Sequence, residues 1–137
     1  SLGCTQKGGR SAVVDVLQYA QPATKKGLNL LNSPGNDLVS SSALAFAGCQ
    51  LILFSTGRGT PFGSFVPTIK IATNSALYNQ KKNWLDFNAG ILLEGTPMDT
   101  LLQQFTKKVL AVAEGSMLKH EINGYKEIAL FKTGVIL

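Results

Sequence analysis

The chain has 137 residues, about one domain's worth and enough to bury a sizeable core. Hydrophobic residues make up 45% and charged residues 15%, which excludes intrinsic disorder and leaves apolar surface suited to another domain or subunit. The net charge of +5 comes from basic residues spread singly or in pairs, without interleaved aromatics, so no nucleic-acid partner is expected.

Residues 1–10 are glycine-rich and read as a loop, with Cys4 near Lys7 either a reactive thiol or a plain cysteine. Ser11 can cap a helix running to Ala20, with Val13, Val14, Val16, Leu17 and Ala20 as its buried stripe, and Pro22 ends it. Residues 27–31 have the look of a short strand, and residues 32–37 (Asn-Ser-Pro-Gly-Asn-Asp) are dense in turn formers. A helix over residues 38–47 follows, closed by Gly48. The apolar run 49–54 then reads as a central parallel strand, covered on both faces.

Residues 55–63 form a polar loop rich in glycine, 68–73 a strand, 75–80 a short helix and 84–87 a minimal strand. Thr96 can act as N-cap of the clearest helix, with Pro97 at the first helical position and Asp99 in the first turn. Met98, Leu101, Leu102, Phe105, Val109 and Val112 give that helix one apolar face, and Gly115 closes it. Residues 127–130 and 135–137 read as a terminal strand or hairpin. Strands alternating with helices at this rhythm predict a single α/β domain, a Rossmann-like three-layer open sheet, mostly parallel.

The longest apolar run, residues 43–54, is broken by Gly48 and Gln50 and is too short to span a membrane, so no membrane partner is expected. No basic stretch followed by an apolar one marks a signal peptide. Two cysteines, Cys4 and Cys49, fit a reducing compartment, and His120 as the single histidine leaves no zinc constellation. The chain opens at Ser1 without a methionine, as a processed chain or a piece of a larger protein would.

Ligands of open α/β sheets bind beyond the carboxyl ends of strands, which singles out two loops. Ser33-Pro34-Gly35-Asn36-Asp37 leads into a helix N-terminus suited to a carboxylate or phosphate, and equally reads as a turn with an Asn/Asp cap. In Gly57-Arg58-Gly59-Thr60-Pro61-Phe62-Gly63, flanking glycines let backbone approach a ligand while the guanidinium grips a carboxylate. The alternative there is a long crossover whose arginine pairs with a local acid. Lys70 either points into the same crevice or is a solvated edge lysine. Asp86 and Asn88 either contact ligand or cap turns, and His120 reads as a surface residue.

Gly3-Cys4-Thr5-Gln6-Lys7-Gly8-Gly9, Ser33–Asp37, the long string from Thr56 to Ser75, and Asp86-Phe87-Asn88-Ala89-Gly90 together resemble the altronate/galactarate dehydratase family. The resemblance spans the whole chain and corresponds to the C-terminal part of much longer enzymes; the ending, residues 123–135, is more similar to the altronate branch. It implies a cytoplasmic hydro-lyase of hexuronate catabolism that removes water from a sugar acid, altronate or galactarate. It also implies a divalent metal, iron, in the full-length enzyme, with ligands wholly or partly from missing N-terminal regions and none expected in this domain alone. Within the chain, Arg58 would grip the substrate carboxylate, with Gly57, Gly59 and Thr60 as anion donors. Asn36 and Asp37 would hold substrate hydroxyls or a metal-bound water, and Lys70 would stabilise charge or transfer a proton. A non-catalytic substrate-binding or homodimerisation domain is the competing expectation.

Overall fold

The computed structural model describes residues 6–130. All its paired strands run parallel and helices are interspersed among them, so the α/β class holds. The strands form two small sheets, however. One pairs β1 (Val13–Leu17) with β2 (Leu28–Leu31); the other has the order β3 (Ile52–Thr56), β4 (Thr68–Ala72), β5 (Phe87–Asn88).

The helix expected over residues 11–20 is the first correction, because that segment forms β1. Three valines in four residues favour the pleated surface over a helix, where branching at Cβ crowds the preceding turn. Parallel pairing of Val16 with Leu30 and Leu17 with Leu31 then fixes the strand. Helix α1 (Asp37–Phe46) starts where Asn36 caps it and buries Ser41, Ser42 and Ala43, small residues that allow close approach.

The apolar run after Gly48 is the second correction. Its strand starts three residues later than expected and pairs within the second sheet only with β4, so Leu53 is 51% exposed. The central position belongs to β4, flanked by β3 and β5, with Thr68, Ile69, Lys70 and Ala72 all buried.

Successive β4 side chains alternate between two faces. Ile69 and Ile71 pack against Val109, Val112 and Phe105 of α3 (Met98–Ala113) and against Leu118. Ala72, on the opposite face, joins Leu77 of α2 (Ser75–Gln80) and Leu85, with Tyr78 and Trp84 beside them. Helix, sheet and helix thus make three layers around β4. Burying a side chain such as Ile69 or Leu118 contributes about 1.5–3 kcal/mol each.

Three further corrections concern the second half. Helix α3 takes Pro97 as its N-cap with no side-chain cap bond, while the Thr96 amide donates to the Ile91 carbonyl of a 3-10 turn (Gly90–Glu94). A short helix that the sequence pattern did not show, α4 (Lys119–Ile122), follows Leu118. Residues 127–130 form no strand: Glu127 makes a single parallel bridge to Ser64. Residues 135–137 lie outside the described residues. No described helix is long and apolar enough to cross a membrane.

Candidate functional site

The second sheet is crossed from β3 to β4 by residues 57–67 without a helix, although parallel neighbours are usually joined through one. With no ladder to satisfy it, this strap must find partners for its backbone elsewhere. Thr56, the last residue of β3, supplies the first: its Oγ1 accepts from the amides of Arg58 (3.3 Å) and Gly59 (2.9 Å). That turn puts Gly59 at φ +76°, where a side chain would be strained. The carbonyl of Arg58 accepts from Lys81 Nζ at 2.8 Å, and the same ammonium lies 4.7 Å above the Trp84 ring.

Next comes Lys70. Its side chain leaves the centre of β4 with no exposed surface, and Nζ donates to three consecutive carbonyls, Thr60 (3.1 Å), Pro61 (2.9 Å) and Phe62 (2.9 Å). The reading of Lys70 as a solvated edge residue is therefore corrected. Burial pulls its ammonium down to about 8, against the upward pull of the Asp86 and Glu127 carboxylates. Phe62 packs edge-on against Phe54 at 5.2 Å, and the Gly63 carbonyl accepts from the Glu127 amide at 2.8 Å.

His120 backs this strap and is 1% exposed, which corrects its reading as a surface residue. Its Nε2 accepts from the Thr68 amide (3.1 Å), leaving Nδ1–H to donate to the Tyr125 carbonyl (2.9 Å). A Cβ on Gly63 would come within 1.9 Å of Nδ1, so only glycine fits there. Asp86 is a clip, not a ligand: Oδ2 accepts from the Lys70 amide (2.9 Å) and Oδ1 from the Lys119 amide (3.0 Å). Asn88 likewise joins Ser75 and the Gly90 amide.

What remains unspent is Arg58. Its side chain is exposed, and the ion pair found among the described residues joins Lys25 to Asp15 (3.1 Å), so no local acid claims the guanidinium. The Gly59 amide, expected to donate to an anion, instead donates to Thr56. At the other loop, Asn36 Oδ1 accepts from the Leu38 and Val39 amides (3.1 and 3.2 Å), and Asp37 is exposed on the first turn of α1. Both loops leave the carboxyl ends of strands, but of strands in different sheets: Asn36 and Asp37 follow β2, Arg58 follows β3. No hydrogen bond joins them among the described residues.

Three features had no local signal in the sequence. Lys81 reaches Arg58 from 23 positions away, His120 reaches Thr68 across 52, and Asp86 reaches Lys119 across 33. Thr56, two and three residues before the amides it caps, carried a readable one. Cys4 lies outside the described residues.

The residues described do not make a metal site by themselves. No group of three His, Cys, Asp or Glu side chains converges among them, and His120 and Asp86 have their ring nitrogens and oxygens committed.

Fold and loop together define a parallel α/β domain that presents a cationic strap at the carboxyl end of a strand. The chain matches the family described as D-galactarate/Altronate dehydratase, C-terminal, over residues 1–136, and belongs to it. It is 56% identical, over its whole length, to the altronate dehydratases of Bacillus subtilis (strain 168) and Escherichia coli (strain K12). It is 41% identical to the galactarate dehydratase (L-threo-forming) of Escherichia coli (strain K12) over 69% of the chain and 18% of that protein. The chain spans 28% of the length of either altronate dehydratase.

Proposed function

We propose that this domain serves a cytoplasmic hydro-lyase that dehydrates altronate to 2-dehydro-3-deoxygluconate, and that the strap 57–63 receives the substrate carboxylate. The observation that carries the reading is Arg58, an exposed guanidinium with no acid partner among the described residues, raised on a strap whose carbonyls at Arg58 and at residues 60–63 are all engaged. Removing the proton alpha to a carboxylate builds negative charge on that carboxylate as an ene-diolate. A planar cation already in place stabilises such charge without reorganising as the reaction proceeds. Thr60 and the Gly57 amide complete the anion contacts in this reading, and Asn36 and Asp37 meet substrate hydroxyls. The divalent metal, iron, takes its ligands outside the described residues.

The identity to two altronate dehydratases supports altronate over galactarate as substrate. Full-length enzyme given each sugar acid in turn tests this: faster dehydration of altronate is expected, and preference for galactarate overturns it. Arg58→Lys tests the site. Loss of bidentate contact costs about 2–3 kcal/mol, on the order of 100-fold in kcat/KM, with Tm almost unchanged. Near-normal catalysis in that variant removes Arg58 from the site.

A further inference from the structure

We propose that Lys70 is the positioning residue of the anion-receiving strap, its ammonium tying three successive carbonyls of the loop to the central strand so that Arg58 is presented in one fixed orientation. The inference rests on the strap being the substrate-carboxylate site.

The geometry argues against a part in proton transfer. An ammonium has three hydrogens, and Nζ spends them on Thr60, Pro61 and Phe62. It therefore acts through the loop rather than on a bound molecule. Packing alone does not call for a lysine here either. Taking a charge into a core is costly unless every hydrogen finds an acceptor, and an apolar side chain of the same reach fills the space without that cost. What an apolar side chain cannot do is hold carbonyls 60, 61 and 62 at one point. Pro61 contributes no amide of its own, so this stretch has little else to fix its direction.

The anchors divide the strap cleanly. Thr56 and Lys81 hold Arg58 and Gly59, Lys70 holds residues 60–62, and the Glu127 amide holds Gly63. The Asp86 carboxylate fixes the Lys70 backbone from which the side chain springs. A loop pinned at both ends presents its guanidinium preorganised, so binding a carboxylate need not first order the loop.

The test uses the full-length enzyme with Lys70→Met, Arg58→Lys and the double variant. For Lys70→Met, KM is expected to rise at least about tenfold with a smaller fall in kcat, because the grip on substrate is misplaced. The double variant is expected to be little worse than Arg58→Lys alone, since both act through one guanidinium. A residue that only stabilises the fold would lower Tm and the active fraction and leave KM of the surviving enzyme unchanged; that result overturns the proposal. So does a double variant whose losses multiply in full. Should Lys70→Met not fold, Lys70→Arg, which keeps the charge but not the point geometry, decides: a raised KM supports the proposal and an unchanged one overturns it. Normal catalysis by Arg58→Lys would instead defeat the reading of the site itself, whatever Lys70 does.

Discussion

Lys70 also makes a claim about pH that can be separated from every other titrating group. In the unfolded chain it keeps its proton up to its ordinary 10.5, whereas burial in the folded chain lowers that point to about 8. Below pH 8 both forms are protonated. Between 8 and 10.5 the unfolded chain binds more protons, so this residue's contribution to stability rises with pH. The unfolding free energy of wild type minus that of Lys70→Met should therefore increase from pH 7 to pH 10, by up to about 3 kcal/mol. Urea denaturation at several pH values measures it, and a flat difference would mean that the ammonium is not destabilised by its burial. Over the same range the neutral amine has only two hydrogens for three carbonyls, so substrate affinity should weaken while stability grows. Opposite trends in the two quantities are what distinguish an anchor from a mere core residue. At this scale the sequence was partly legible. Glycines around an arginine pointed to the strap, because both the turn and the cation are written locally. That Lys70 would face inward was not, since its acceptors are backbone groups that any residues could supply.

At the scale of elements, the contact between the strap and α4 is set by a glycine and a histidine 57 positions apart. Gly63→Ala places a methyl where the imidazole ring stands and drives His120 off both of its hydrogen bonds. A loss of about 3 kcal/mol or more is expected, from the clash and the orphaned Thr68 amide together. With His120→Ala in the same chain the clash is gone, so the double variant should be more stable than the two single losses predict, by about 1–3 kcal/mol. Additive losses would show that the glycine matters for its own backbone only. This pairing also explains why α4 was not legible. Four residues of helix have almost no periodic signal, and its place is fixed by Asp86, Thr68 and Gly63, all distant in sequence. The opposite failure occurred at β1, where valines at mixed spacing fitted a helical stripe until pairing with β2 decided the matter. Where a cap or a glycine closes an element locally, as at Asn36, Asn74 and Gly115, the boundaries came out close to the sequence reading.

For the whole molecule, the sparse charge of the chain has a place in the fold. Met98, Leu102 and Leu110 lie 57–59% exposed on α3, and Val16 of β1 is 62% exposed. Parallel sheets are ordinarily covered on both faces, and β1–β2 is not covered in this way. Because the chain spans 28% of the length of the altronate dehydratases it matches, its competence alone is a separate question from the competence of the whole enzyme. The two buried clusters on either side of β4 are built from this chain's own side chains, which argues that the isolated domain folds. The described side chains, by contrast, include neither a converged ligand set nor an uncommitted buried base. The isolated chain should therefore unfold cooperatively with a Tm that a chelator leaves unchanged, and should not dehydrate altronate. The full-length enzyme in the same buffer should. A chelator-sensitive Tm would place metal ligands within this chain, and turnover by the isolated chain would show that the whole reaction centre lies inside it.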